Sequence, residues 1–220
     1  MNQHKSAIDV YFSDSLGKLQ FVLNELENKC LKELRAAIEI MVNSVRNQGR
    51  ILVCGNGGSA ADSQHFAGEL VATFSRGTHR AAISAIALPN DIAAITAYAN
   101  DVSYLEVFSR QVEAHGREGD TLLCISTSGT SVNVLNAAKQ ARAQGLSVVS
   151  MSGNSSTALS ELSDVAIIIP STETPTVQNT YQFLTHVLCF GIEYAVSVVN
   201  QEGKVKTSFV NPRSASDTNR

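Results

Sequence analysis

The chain has 220 residues, of which 17% are charged, and a formal net charge of −3. That length can bury a sizeable core and suits a single domain with appended helices. The absence of a basic block, or of basic residues interleaved with aromatics, argues against nucleic acid as a direct ligand. No apolar run approaches the roughly 18 residues that span a bilayer. Met1-Asn2-Gln3-His4-Lys5 is not followed by a signal-like apolar core, so a cytoplasmic protein with no membrane partner is expected. Cys30, Cys54, Cys124 and Cys189 show no C-x-x-C spacing and two lie in apparent strands, so buried free thiols are expected rather than disulfides or a thiolate metal site.

From Ile8 to Val45, apolar residues recur at helical spacing (Leu16, Leu19, Leu23, Leu26, then Leu34, Ile38, Met41) without an interrupting proline. The pattern predicts two helices, the second closed by Gly49 as its C-terminal cap. Ile51–Cys54 reads as a buried strand. It leads through Gly55-Asn56-Gly57-Gly58-Ser59 into a helix over 59–74, and a looser segment, 75–80, precedes a second strand over Ala82–Leu88. Helices are expected at 92–98 and 104–114, separated by Asn100-Asp101. A third strand covers 121–125, a helix 132–143 ends at Gly145, and a fourth strand covers 146–151. A short helix ending near Leu162, a fifth strand at 165–169 and a long helix at 177–199 complete the core, followed by a polar tail at 201–220 that is expected to be flexible.

Strands alternating with helices imply right-handed crossovers and a doubly wound, five-stranded parallel α/β sheet, preceded by a helical extension over 1–50 within one domain, 1–200. Ligands of such sheets sit beyond the carboxyl ends of the strands. Both the Gly55–Ser59 turn and the run Ser126-Thr127-Ser128-Gly129-Thr130-Ser131 fall there, so the two loops should converge. The second run offers hydroxyls and the N–H groups of a helix start, but no lysine of the nucleotide-binding kind. It suits a terminal phosphate on a small molecule, or equally an ordinary helix-capping turn. On the helix after the glycine turn, His65 and Glu69 are spaced i, i+4 and share a face.

Taken together and in order, G-N-G-G-S (55–59), H-F-A-x-E-L (65–70), A-N-D (99–101), the segment Phe108–Ala114 and S-T-S-G-x-S (126–131) resemble the sedoheptulose 7-phosphate isomerases, or phosphoheptose isomerases. These belong to the sugar isomerase (SIS) domain superfamily, a flavodoxin-like three-layer fold, and the resemblance spans about residues 8 to 199. It implies an aldose–ketose isomerisation through an enediol, converting D-sedoheptulose 7-phosphate to D-glycero-D-manno-heptose 7-phosphate in bacterial heptose biosynthesis, the route toward lipopolysaccharide. It also implies a homotetramer and one zinc ion per subunit, held by His65, Glu69, Gln178 and His186, with Glu69 and His186 as the acid/base pair. Substrate would be held by Asn56, Gly57, Gly58, Ser59, Glu69, Asn100, Asp101, Ser126, Thr127, Ser128, Ser131 and Gln178, the hydroxyls taking the phosphate. Gln178 and His186 stand eight residues apart, about 80° apart in helical projection.

The chain departs from the family pattern in two places. It carries Pro175-Thr176-Val177-Gln178-Asn179-Thr180-Tyr181 where Arg and Q-E-x-H are common, and Thr73, with Arg76 beyond it, where a basic residue is common. These departures keep an isomerase of another sugar phosphate as an alternative. A noncatalytic SIS scaffold that binds the replication initiator is a second one. His4, His79 and His115 are expected at the surface.

Overall fold

In the computed structural model, residues 6–75, 80–153 and 156–199 are described. The expectations for His4, Arg76, His79 and the 201–220 tail lie outside them. The N-terminal region is one helix, α1 (Ala7–Arg46), rather than two. The gap between Leu26 and Leu34 in the leucine pattern is filled by Cys30, which is fully buried, so a single stripe of Val22, Leu26, Cys30, Leu34, Ala37 and Met41 runs on without a break. A capping box opens the helix, Asp9 N–H donating to Ser6 Oγ and Ser6 N–H to Asp9 Oδ2.

The remaining elements are β1 (Ile51–Gly55), α2 (Gly58–Val71), β2 (Ala85–Ala87), α3 (Ile92–Asp101), α4 (Val107–His115), β3 (Thr121–Ser126), α5 (Val132–Ala143), β4 (Ser147–Gly153), α6 (Ala158–Glu161), β5 (Val165–Ile169) and α7 (Thr174–Val199). All strand pairings are parallel, in the order β2-β1-β3-β4-β5. β1 and β3 are buried along their whole length, as a sheet covered on both faces requires. Ile51, Val53, Leu123 and Ile125 join the core beneath α1, α2 and α7. Leu52, Cys54, Leu122 and Cys124 point the other way, into the core beneath α4 and α5. All four cysteines are buried and free.

β2 is shorter than the apolar run predicts. Only Ala85–Ala87 pairs with β1; Ile83 N–H bonds to Leu70 O instead, and Pro89 turns the chain into a 3₁₀ turn at Leu88–Asn90. Asn100 and Asp101 belong to α3 rather than separating two helices, and the break falls at Val102–Ser103, where the Ser103 hydroxyl accepts from Leu105 N–H.

The expected cap at Gly49 is also displaced by one residue. Gln48 N–H bonds to Val45 O and Gly49 N–H to Ser44 O, a Schellman closure that puts Gln48 in the left-handed position at φ 62°. The equivalent position after α5 is Gly145, φ 77°, with the same pair of bonds to Arg142 O and Ala141 O. Gln48 thus bears a Cβ penalty that Gly145 avoids. Gln48→Gly is expected to stabilise the protein by about 0.5–1 kcal/mol, read as a rise in denaturation midpoint at unchanged slope.

Candidate active site

The two loops that the sequence places at carboxyl strand ends do meet. β1 and β3 are neighbours with Gly55 opposite Ile125, and the strand order reverses direction between them, which opens a crevice at their ends. Across it Asn56 and Asn133 form a reciprocal amide pair, each Nδ2 donating to the other's Oδ1 at 2.8 Å. Tyr104 Oη donates to Asn56 Oδ1 at 2.9 Å. Among the described residues this leaves Asn56 one N–H for a ligand. Asn133 and Tyr104 are absent from the sequence-derived set. The sequence cue for Asn133 is slight: a polar residue two positions after the hydroxyl run.

The helices that open on this crevice carry no side-chain cap. Neither Gly57, ahead of α2, nor Ser131, ahead of α5, caps its helix through a side chain. Ser131 Oγ lies instead 3.2 Å from Ser126 Oγ. The hydroxyl run is thus not spent as a capping turn for α5, although Ser126 Oγ accepts from Gly129 N–H and Ser128 Oγ from Thr130 N–H within the loop. Ser59 is buried at the start of α2 and Thr127 is half-buried. Asn100 and Asp101 stand apart from this group. They hydrogen-bond to each other at the exposed end of α3, and Asp101 lines the hollow between α3 and α4 beside Tyr98 and Arg110.

Beneath the crevice, α2 and α7 run side by side in the same direction. Their contacts advance in step: Gly58 meets Gln178, Asp62 meets Gln182, His65 meets Gln182 and His186, Phe66 meets Cys189, and Ser75 meets Glu193. A Cβ at position 58 would overlap the Gln178 amide, which would have to turn aside to admit it. The seam gathers His65 Nε2, Glu69 Oε1 and His186 Nε2. The first two are 3.1 Å apart, the two imidazole nitrogens 3.4 Å, and all three ligand atoms lie within 4.8 Å of one another. The His65 and His186 rings meet edge to face with centroids 5.1 Å apart, and Phe74 lies against His186.

Two imidazoles and a carboxylate are the donors a zinc site uses, and bonds of about 2.0–2.1 Å at tetrahedral angles put neighbouring ligand atoms about 3.3 Å apart. The 3.1 and 3.4 Å separations about His65 Nε2 match that spacing and all three atoms lie within 4.8 Å, so the donor set fits the ion. Gln178 lies at Gly58; the glutamine in hydrogen-bond contact with His65 is Gln182, 3.1 Å from its Nδ1. Gln182 falls midway between Gln178 and His186 at four-residue steps, a spacing that could have marked it in the sequence. Of the departures from the family pattern, Tyr181 is buried in the core with its hydroxyl donating to Met151 O, while Asn179 faces solvent. His115, expected at the surface, is half-buried at the end of α4.

Comparison with known proteins matches residues 16–153 to the SIS domain family. A phosphoheptose isomerase of Helicobacter pylori is 44% identical over 185 residues, covering 82% of this chain and 95% of its own. The chain belongs to the phosphoheptose isomerases. Solved structures of phosphoheptose isomerases from Neisseria gonorrhoeae and Francisella tularensis superpose with TM-scores of 0.75 and 0.77 at 35% and 34% identity. Each alignment covers 84% of this chain and 96% of the other. The SIS match ends before α7, so Gln178, Gln182 and His186 lie beyond it, whereas the full-length family relatives and structures extend well past that point.

A buried ion pair closes the lower end of the seam. Glu193, on α7, accepts from Phe74 N–H, Ser75 N–H and Arg80 Nε, while Arg80 also donates to the backbone oxygen of Glu69. Side chains of both partners are nearly inaccessible, at 1% for Arg80 and 3% for Glu193. Burial pushes the Glu193 carboxyl up, but the hydrogen bonds from Ser75, Phe74 and Arg80 outweigh it and hold the group below the ordinary glutamate value. Its contribution is therefore complete above about pH 4.3 and is lost as the pH falls through the lowered value. Glu193→Gln strands a buried guanidinium and is expected to cost about 3–5 kcal/mol at pH 7. Denaturation midpoints measured against pH should show the difference between variant and wild type shrinking on acidification.

Proposed function

We propose that the chain isomerises sedoheptulose 7-phosphate to D-glycero-D-manno-heptose 7-phosphate in the cytoplasm, supplying bacterial heptose biosynthesis and, through it, lipopolysaccharide. The reading is carried by the cluster of His65, Glu69 and His186 at the seam of a chain that belongs to the phosphoheptose isomerases. A noncatalytic scaffold would have no use for three converging ligands at zinc spacing, and no observation favours a different sugar.

The reaction moves a proton between C1 and C2 and needs a base at carbon, an acid at the carbonyl oxygen and stabilisation of the charge that develops there. Glu69 presents Oε1 to His65, which leaves Oε2 to take the proton from one carbon and return it to the other. His186, whose Nε2 faces the cluster, would carry the matching proton between the two sugar oxygens on Nδ1. His65, Glu69 and His186 would hold a zinc ion, with Gln178, further up the seam at Gly58, as the expected fourth donor, and the ion would supply Lewis-acid polarisation of those oxygens. The phosphate would be taken by Ser59, Ser126, Thr127, Ser128 and Ser131, with the open N-termini of α2 and α5 contributing N–H groups. The backbone of Gly57 and Gly58 would approach it closely and Asn56 would meet the sugar hydroxyls, whereas Asn100 and Asp101, at the exposed end of α3, lie outside this contact set. Glu69→Gln and His186→Gln are expected to lower turnover at least 1,000-fold, roughly the loss of one acid/base step and the electrostatics around it, with unchanged circular dichroism. Turnover within tenfold of wild type in either purified variant would contradict these roles.

The assembly is proposed to be a homotetramer. Its support is the first half of α1, where Ile8, Tyr11, Phe12, Leu16 and Phe21 leave between 43% and 79% of their surface in solvent. Isolated large apolar residues are ordinary on a surface, but a run of this kind along one helix marks an interface. Light scattering should give four chains per particle for wild type and a smaller species for the double variant Phe12→Asp/Phe21→Asp.

A further inference from the structure

Asp62, Gln182 and His65 form a chain of hydrogen bonds across the α2–α7 seam that no role above uses. Asp62 lies one turn before His65 on α2 and is 4% exposed. Its Oδ1 accepts from Gln182 Nε2, and its Oδ2 has no hydrogen-bond partner among the described residues. Gln182 sits at the surface but turns its amide inward, with Oε1 3.1 Å from His65 Nδ1.

A carboxylate offers only lone pairs, so it dictates which end of the glutamine amide faces it: the nitrogen goes to Asp62 and the oxygen to His65. That oxygen is again only an acceptor, so the ring nitrogen beside it must carry hydrogen. A neutral imidazole has one N–H, and with it on Nδ1 the other nitrogen, Nε2, is left with a bare lone pair. Nε2 is the atom that faces Glu69 and His186. The choice matters because Glu69 Oε1, 3.1 Å from Nε2, would by itself draw the hydrogen to Nε2 and occupy the electron pair a metal needs. The relay from Asp62 opposes that pull.

We propose that Asp62, acting through Gln182, holds the neutral His65 ring in the Nδ1–H tautomer and so presents Nε2 as an electron-pair donor to the cluster. Both are positioning residues, and the inference rests on the reading of His65 as a metal ligand. Loss of such an outer partner typically weakens metal affinity by about 10–100-fold.

The test uses the full-length chain. Histidine ¹⁵N shifts of the metal-free wild type, recorded at a pH where His65 is neutral, should show Nδ1–H; a predominant Nε2–H form overturns the proposal. Zinc titrated against a competing chelator should bind Gln182→Met about 10–100-fold more weakly than wild type. The double variant Asp62→Asn/Gln182→Glu restores a donor facing an acceptor at each step, and should return to within about threefold of wild type. Gln182→Met binding zinc as tightly as wild type, or a double variant as weak as the single one, overturns the proposal. Should Gln182→Met not fold, the wild-type tautomer decides the matter. A wild-type protein that takes up no zinc would refute the metal site itself, while the tautomer measurement would still decide the relay.

Discussion

The parallel packing of α2 on α7 is the constraint on which the rest of this protein depends. Both helices cover the same face of the sheet, and their contacts run in parallel from Gly58 at Gln178 to Phe66 at Cys189. That register is what turns two separate sequence features, an imidazole and a carboxylate near residue 65 and an imidazole near residue 186, into one cluster of facing atoms. At the top, Gly58 faces the Gln178 amide. At the bottom, a buried ion pair ties α7 to the segment after α2 and, through Arg80, to the backbone of Glu69 itself.

The sheet supplies the second half of the site. Because the strand order reverses between β1 and β3, the glycine turn and the hydroxyl run open onto the same crevice, and the Asn56–Asn133 amide pair bridges it. Helix starts without side-chain caps stand on both sides of it. On the proposed reading, the site divides into a rim of loops that would receive the phosphate and a seam of helices that would move the proton, both fixed to one sheet.

Much of this was legible in the sequence, for identifiable reasons. Buried parallel strands read as continuous apolar runs, so all five strands and their order along the chain follow from Ile51–Cys54, Leu122–Ile125 and their counterparts. His65 and Glu69 announce themselves by four-residue spacing on a helix that follows a glycine turn. What escaped depends on partners that are distant in sequence. Gln182 looks like any polar residue of α7 until Asp62 and His65 are seen opposite it, and Asn133 gains meaning only from Asn56. Gln48, not Gly49, takes the left-handed position because the helix ends where the buried stripe ends, and a glycine one residue later cannot move that point. Likewise, Cys30 joins what the leucine spacing alone splits into two helices.

The account is tested most directly by following the conversion of sedoheptulose 7-phosphate to its aldose by the purified full-length chain, first as isolated, then after chelation, then after stoichiometric zinc is returned. A seam that holds zinc for proton transfer predicts turnover that disappears with the metal and is restored with it. Undiminished turnover by the metal-free protein, or no conversion by the zinc-loaded one, would contradict it.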